Sequence, residues 1–427
     1  MNYNEWRKQI KPDKKQRNYQ HVDDSLNLDT ESVFQRVVSV ITDIKNHQFL
    51  PFIKRDEVQI RFRRNALGKT ERKRKVRPIM YASHLDSHIY SYFNFLLSIK
   101  YEQYLIDFDI DENVIAYRRV KIDGSDKGKS NVHFAKEIFD YIKEKDECVV
   151  VTQDIEGFFE NLNHKLLKES ICKISGESEI DEDFYKVFRS LISYKYIEYA
   201  DFISEKIKQR TKYNKYAVYK TLKGVVNENK TNKGIPQGSP ISGLLANIYL
   251  VEFDKEIKQN FPDVFYRRYS DDLVFVCRLD QKEEFLNFID LKIKTFKLNI
   301  NSTKSFLSYF KKNDGGSLCV KVTNGLDVVN NRNYVDYLGL EFNGQNIFLR
   351  KGTIQKLKHK QIKKASKQIL NSTKQKRLKP KRFKTSLKNN RNNYFKRASE
   401  VVNSSGVKNQ VLKVAKGRNK VVKNIKE

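Results

Sequence analysis

Apolar residues recur along the chain with two periods, and each change of period marks an element. Val33, Phe34, Val37, Val38, Val40, Ile41 and Ile44 predict a helix over 32–46. An aromatic-rich stretch over about 83–104 predicts a second, and Ser130 stands where it can cap a third over 131–145. The run Cys148-Val149-Val150-Val151-Thr152 is short, β-branched and bounded by charge, the pattern of a buried central strand. Further helices are expected over about 163–173 and over 239–255, the latter opening after Gly238 and apolar through Ile241, Leu244, Leu245 and Ile248. Two apolar runs, 264–269 and 273–277, flank Ser270-Asp271-Asp272 and predict a hairpin with a tight polar turn. The alternation Val58-Gln59-Ile60-Arg61-Phe62-Arg63, followed by a turn at Gly68, predicts a charged hairpin. Strand, helices and hairpin in this order describe an α+β fold, a sheet with helices on one face.

Composition narrows the class. The chain has 427 residues, room for about three domains, and 39% hydrophobic with 12% aromatic residues excludes wholesale disorder. The longest apolar run, within 90–99, is broken by Ser91 and Asn94 and is too short to span a bilayer. Met1-Asn2-Tyr3-Asn4-Glu5-Trp6-Arg7 has no apolar leader character, so a cytoplasmic protein with no membrane partner is expected. Cys148, Cys172, Cys277 and Cys319 show no CxxC spacing, so reduced core thiols are expected rather than a zinc site or a disulfide framework.

Charge changes the picture more. The net charge is +31, and residues 351–427 carry 25 Lys and Arg against only Glu400 and Glu427. A field this concentrated attracts a polyanion, with nucleic acid as the default partner, through phosphate contacts that weaken with salt. The plain alternative is a solvated arm. Ile354, Leu357, Ile362, Ala365 and Ile369 share one helical face among lysines, which favours a packed basic helix. The Lys/Asn-rich stretch from about 371 to 393 reads as a linker.

The candidate chemistry lies in three elements. Asp154 ends the apolar strand, and Asp271 and Asp272 sit at the tip of the apolar hairpin. Carboxylates beside buried strands are costly unless a cation compensates them. Two hard divalent ions held by carboxylates are the machinery of nucleotidyl transfer, one activating the attacking hydroxyl and the other offsetting charge on pyrophosphate. Between these acids lies Gly234-Ile235-Pro236-Gln237-Gly238-Ser239-Pro240, a Gly/Pro loop that lets backbone approach a phosphate ligand or simply makes a rigid turn. A second acidic pair, Asp23-Asp24, stands in a polar context and receives no role.

Taken together, these segments resemble the bacterial reverse transcriptases, the group that includes group II intron, retron and defence-associated enzymes. Val151-Thr152-Gln153-Asp154-Ile155-Glu156-Gly157-Phe158-Phe159 is similar to the family's first catalytic motif, the Gly234–Pro240 loop to its template and nucleotide loop, and Tyr269-Ser270-Asp271-Asp272 to its Tyr-x-Asp-Asp hairpin. Leu298-Asn299 with Lys304, Tyr337-Leu338-Gly339, Lys75 with Arg77 and Pro78, and Ala116-Tyr117-Arg118 resemble flanking motifs, over about residues 50–350 in one order. The resemblance implies a right-hand polymerase: a helical extension at 1–50, fingers at 51–147, a palm at 148–345 with a fingers insertion at about 175–232, and a short basic helical thumb and tail at 346–427.

The resemblance also implies roles. Asp154, Asp271 and Asp272 would be catalytic and would hold two magnesium ions, with the Ile155 carbonyl assisting and manganese as a substitute. Phe158 and Phe159 would be nucleotide-binding, with Phe159 at the family's sugar gate, where its other reading is core packing. Gln237 and Gly238 would touch the incoming nucleotide, and Arg77 and Lys75 would clasp its triphosphate, unless they belong to a solvated face. Lys304 would protonate pyrophosphate or stand as a surface lysine, and Tyr337, Leu338 and Gly339 would form the primer grip. The implied partners are an RNA template, deoxynucleoside triphosphates and a DNA product.

Departures bear on the subtype. Val322-Thr323-Asn324-Gly325 only echoes a retron's Val-Thr-Gly element, and the 77 residues after Arg350 lack Cys or paired His for a zinc nuclease. The remainder most resembles a free-standing antiphage enzyme that copies a companion non-coding RNA. A retron-type enzyme, a template-independent DNA polymerase and a non-catalytic RNA-binding scaffold are the alternatives.

Overall fold

The computed structural model describes residues 2–10, 19–64, 70–208, 222–313, 318–324, 327–328, 334–356, 393–410 and 412–413. The chain folds as two compact units, one from Met1–Tyr117, Glu156–Asn260 and Leu291–Asn299, the other from Arg118–Ile155, Phe261–Asp290 and Ile300–Glu427. In chain order the strands are β1 (Phe52–Arg64), β2 (Thr70–Tyr81), β3 (Glu147–Asp154), β4 (Lys195–Glu198), β5 (Asn227–Glu228), β6 (Phe265–Tyr269), β7 (Asp272–Cys277), β8 (Phe306–Lys312), β9 (Leu318–Asn324), β10 (Asp327–Val328), β11 (Val335–Tyr337), β12 (Leu340–Phe342) and β13 (Ile347–Leu349).

In the first unit, the charged hairpin is β1 and β2, paired antiparallel from Ile53–Tyr81 to Arg64–Thr70. Its expected turn at Gly68 lies outside the described residues. β1 also pairs parallel with β4, which pairs with β5. Ile53, Ile197, Phe202 and Leu222 form the core beneath this sheet. Helix Glu31–Thr42 buries Phe34, Val37 and Ile41, and the indole of buried Trp6 packs on Phe34 and Tyr92.

Helix His84–Asp107 is the long aromatic-rich one, with the Ser83 hydroxyl accepting the Asp86 N–H as its N-cap. The chain ahead of it is fastened there. Asp23 pairs with His84 Nδ1 at 2.8 Å and accepts the Leu85 N–H at 3.1 Å. Asp86 likewise meets His47 Nε2 at 2.7 Å and accepts the Leu50 N–H at 2.9 Å. Burial would raise the Asp23 carboxyl, but the adjacent His21 ring and the carboxyl's bonds at His84 and Leu85 outweigh that and hold it far below the ordinary carboxylate range. Asp23, which the sequence leaves without a role, is therefore a structural anchor.

The helix expected over 239–255 is two, Ser242–Tyr249 and Val251–Asn260, broken at Leu250. It starts late because the Ser242 hydroxyl donates to the Pro236 carbonyl at 2.7 Å and holds the preceding residues in a turn.

The second unit is built on a six-stranded antiparallel sheet in the order β10-β9-β8-β3-β7-β6. β3 lies between β7 and β8, the central position its apolar run predicts. One face, with Cys148, Val150, Val274, Val276 and Phe310, packs on helix Asn131–Glu144, on the small sheet β11-β12-β13 and on Ala398 and Val402 of helix Asn393–Val402. Ser130 caps the first of these helices, in a capping box with His133. The other face is covered too. Phe275 stacks on Tyr266 at 4.8 Å and meets Phe285 of helix Lys282–Thr295. The α+β reading stands, with helices on both faces of this sheet rather than one, because successive residues of β3 point to opposite sides and both sets are apolar. Cys148 and Cys277 are free and buried in it, and Cys172 is half-buried. Most of the basic segment, including all but the start of its expected helix, lies outside the described residues. No helix among the described residues is long and apolar enough to cross a membrane.

Candidate active site

The second unit brings two of the three candidate carboxylates face to face. Asp154, the last residue of β3, is the register partner of Asp272, the first residue of β7. Asp271 occupies the turn between β6 and β7, and its carbonyl accepts the Ile155 N–H at 2.9 Å. The Asn301 N–H donates to the Asp154 carbonyl at 2.8 Å, so the chain after β3 is held from both sides. The turn pairs Tyr269 with Asp272 and leaves two residues between them. The first, Ser270, is buried with φ +62°, the left-handed backbone that two-residue hairpins require at this position. A serine held there costs on the order of 1–3 kcal/mol, which the surrounding ladder must offset.

The electrostatics follow from the crowding. Asp272 is pushed up to about 7, first by burial and then by the charges of Asp271 and Asp154, while Arg350 and Lys304 oppose the rise. Lys304 forms an ion pair with the Asp154 carboxylate. Arg350 pairs with Asp336, its Nε donating at 2.8 Å. The Tyr337 ring is buried, and its hydroxyl is raised well above its ordinary value by burial and by Asp272. Leu338 and Gly339 form the turn from β11 to β12 with φ of +47° and +90°, the all-left-handed pair of a tight hairpin. The Gly339 carbonyl accepts the Arg350 N–H at 3.0 Å.

Among the described residues, no three His, Cys, Asp or Glu side chains form a ready metal cage. The donor chemistry nevertheless fits a hard cation: carboxylates on paired strands, one of them raised to about 7 by burial and by its acidic neighbours, gain most from a divalent ion with oxygen preference.

The first unit holds the remaining candidates. Gly157, with φ +54°, opens the short helix Phe158–Asn161. Phe158 is only 3% exposed and belongs to the core, whereas Phe159 is half-buried and keeps part of its ring in solvent. The Phe159 carbonyl accepts the Ile235 N–H at 3.0 Å, and the Gly234 N–H donates to the Leu162 carbonyl at 2.9 Å. The Gly/Pro loop thus lies along the chain that carries Phe159. Its other end is tied to β2, since the Met80 N–H donates to the Gln237 carbonyl at 2.8 Å. Gly238 has φ +121°, and a Cβ there would stand 2.7 Å from the Met80 carbonyl oxygen. Only glycine meets both conditions. Gln237 is half-buried and Gly238 exposed. Lys75 and Arg77 are both half-buried and two residues apart in β2, so they share one face of the hairpin opposite Gln59 and Glu57.

Ser270 and Leu338 lie in motifs the sequence offers, but the left-handed backbone each adopts is not announced by side-chain type, and Arg350 lies outside every motif.

The fold and these elements define a class. The reverse transcriptase (RNA-dependent DNA polymerase) family matches residues 100–342, more than half of the chain. The chain belongs to that family, a family of RNA-directed DNA polymerases and hence of nucleotidyltransferases. No curated protein matches it. Among solved structures it is similar to telomerase from Candida tropicalis truncated from the C-terminal domain, at 12% identity over 75% of this chain and 60% of that one, with a TM-score of 0.39. It is also similar to Candida tropicalis telomerase in complex with a TWJ fragment of telomeric RNA, at 13% identity over 92% and 66% of the two chains, TM-score 0.36. A third likeness is to an RNA polymerase complex inside a double-stranded RNA virus, at 8% identity over 81% and 26%, TM-score 0.42. The chain spans less than two thirds of each of these proteins.

Proposed function

We propose that this protein is an RNA-directed DNA polymerase that copies a companion non-coding RNA into DNA in the cytoplasm, in the service of antiphage defence. The observation that carries the polymerase reading is the pairing of Asp154 with Asp272, beside Asp271, in a chain of the reverse transcriptase family. In this reading Asp154, Asp271 and Asp272, with the Ile155 carbonyl, hold two magnesium ions. When bound, such ions supply charge stabilisation to the attacking hydroxyl and to the leaving pyrophosphate. Lys304, which pairs with Asp154, donates a proton to the leaving group in this reading. Arg77 and Lys75 bind the triphosphate, Gln237 and Gly238 contact the nucleotide, and Tyr337, Leu338 and Gly339 support the primer end. Phe159, with solvent-facing ring surface, excludes the 2′-hydroxyl and so selects deoxynucleotides, and Phe158 is its buried support. The basic segment 351–427 grips the template–product duplex by its phosphates.

The defence reading rests on the sequence resemblance to free-standing antiphage enzymes. The test of activity is the purified chain with magnesium, a candidate RNA and either deoxy- or ribonucleoside triphosphates. Deoxynucleotide incorporation that depends on RNA is expected, and incorporation of ribonucleotides alone overturns the DNA-product claim. Sequencing nucleic acid that co-purifies with the protein identifies the template. Phage plaque counts with Asp271→Asn beside the native chain test the defence role.

A further inference from the structure

Tyr117 is an aromatic residue left 56% exposed in left-handed backbone, φ +58°. Exposure and conformation both disfavour a tyrosine here, so its neighbours must hold it. The fully buried Asn247 donates from Nδ2 to the Ala116 carbonyl at 2.7 Å and fixes the chain just before Tyr117. One helical turn from Asn247, Gly243 leaves room for the ring: a Cβ at 243 would stand 2.6 Å from both Cγ and Cδ1 of Tyr117. The ring thus lies against the helix backbone at Gly243. It also meets the Phe159 ring edge to face, centroids 6.4 Å apart and planes at 85°. The other ring against Phe159 is buried Phe158, at 5.8 Å and 65°. Phe159 is therefore flanked by a buried ring in the core and by an exposed ring set against a glycine.

We infer that Tyr117 is a positioning residue for sugar selection, the wall that keeps the Phe159 ring from swinging away when a 2′-hydroxyl presses on it. The inference rests on the proposed role of Phe159 as the sugar gate. Its physical content is packing of the ring alone. The role assigned to Tyr117 lies in its ring, and Tyr117 acts only through Phe159. Gly243 belongs to the same device, because a methyl group there would displace the Tyr117 ring.

The experiment measures kcat/KM for a deoxy- and the matching ribonucleoside triphosphate with the full chain, on a homopolymeric RNA carrying a DNA primer. General damage lowers both values, so the ratio reports selection alone. Phe159→Ala is expected to raise relative ribonucleotide use most. Tyr117→Ala is expected to raise it roughly 3- to 10-fold, the scale of one lost aromatic pair, and Tyr117→Leu to raise it less. Tyr117→Phe should keep the native ratio, Gly243→Ala should shift it, and Tyr117→Ala added to Phe159→Ala should change nothing further. If Phe159→Ala raises ribonucleotide use while Tyr117→Ala and Tyr117→Leu leave it native, the inference is overturned and the gate stands. If Phe159→Ala itself leaves the ratio native, the gate reading falls. An additive effect in the double variant overturns action through Phe159.

Discussion

Asp154 and Asp272 are register partners at the end of one antiparallel ladder, so backbone pairing alone brings together two carboxylates 118 positions apart. Their convergence needs no loop to close and no helix to swing.

The first prediction concerns Asp271. Asp271→Asn keeps the size and hydrogen-bonding shape of the turn but removes the charge proposed to bind a cation. Synthesis should fall by at least about 100-fold, the scale seen when one preorganised electrostatic group is lost, with RNA affinity changed by less than about twofold. Primer extension and filter binding check the two halves, and undiminished synthesis removes Asp271 from the site.

A second prediction uses the raised Asp272 carboxyl. Between its ordinary value of 3.8 and about 7, the folded chain keeps a proton at Asp272 that the unfolded chain has released. The stability this group contributes is thus present at low pH and lost as pH rises to about 7, on the order of a few kcal/mol. In chelator, Asp272→Asn should melt higher than the native chain at pH 8 and show a smaller gain at pH 5. Equal gains at the two pH values would contradict the burial and repulsion assigned to it.

Asp23 predicts the opposite slope. Its carboxyl is held low by His21 and His84, so its contribution is present above the ordinary aspartate value and is lost as pH falls below it. Asp23→Asn should therefore destabilise the fold by about 1–3 kcal/mol from pH 7 down to about pH 4, and by progressively less below that. Denaturant melts across that range check the convergence of the two curves.

Gly238→Ala places a methyl group 2.7 Å from the Met80 carbonyl in backbone that L-residues avoid. A loss of about 1–3 kcal/mol is expected, together with a raised KM for nucleotide, because the loop and β2 must separate. A native denaturation midpoint would show that the contact relaxes freely.

Replacing the lysines and arginines of 351–392 by glutamine would remove much of the positive charge, and with it the proposed duplex grip, while leaving the core-packed helix Asn393–Val402 in place. Affinity for a template–primer should fall at moderate salt, and the slope of log K against log salt should flatten. The same binding curve before and after would return the segment to a solvated arm.

Much of this was legible in one dimension. β3 announces itself by three valines flanked by charge, helix Asn131–Glu144 by its cap, and the β6–β7 hairpin by two apolar runs around a polar turn. The candidate acids were visible as carboxylates where apolar runs end. What the pattern hides is partnership. Asp23-Asp24 and Asp271-Asp272 are the same dipeptide; apolar flanks single out the second in the sequence, but only three-dimensional neighbours show Asp23 as an anchor bonded to His84 and Asp272 as the strand partner of Asp154. Phe158 and Phe159 are likewise identical in type, and burial alone divides them. The break at Leu250 falls inside an unbroken apolar period, so periodicity runs straight through it.

The way the acids meet constrains how this chain can change. Inserting or deleting one residue between 149 and 154, or between 272 and 277, shifts the ladder by one and turns a carboxylate to the opposite side of the sheet. Such length changes should abolish the site while leaving a sheet behind. Length changes in loops away from these strands and from the 234–240 turn leave the ladder register intact, so diversification among related chains should accumulate there and stop at these two short strands.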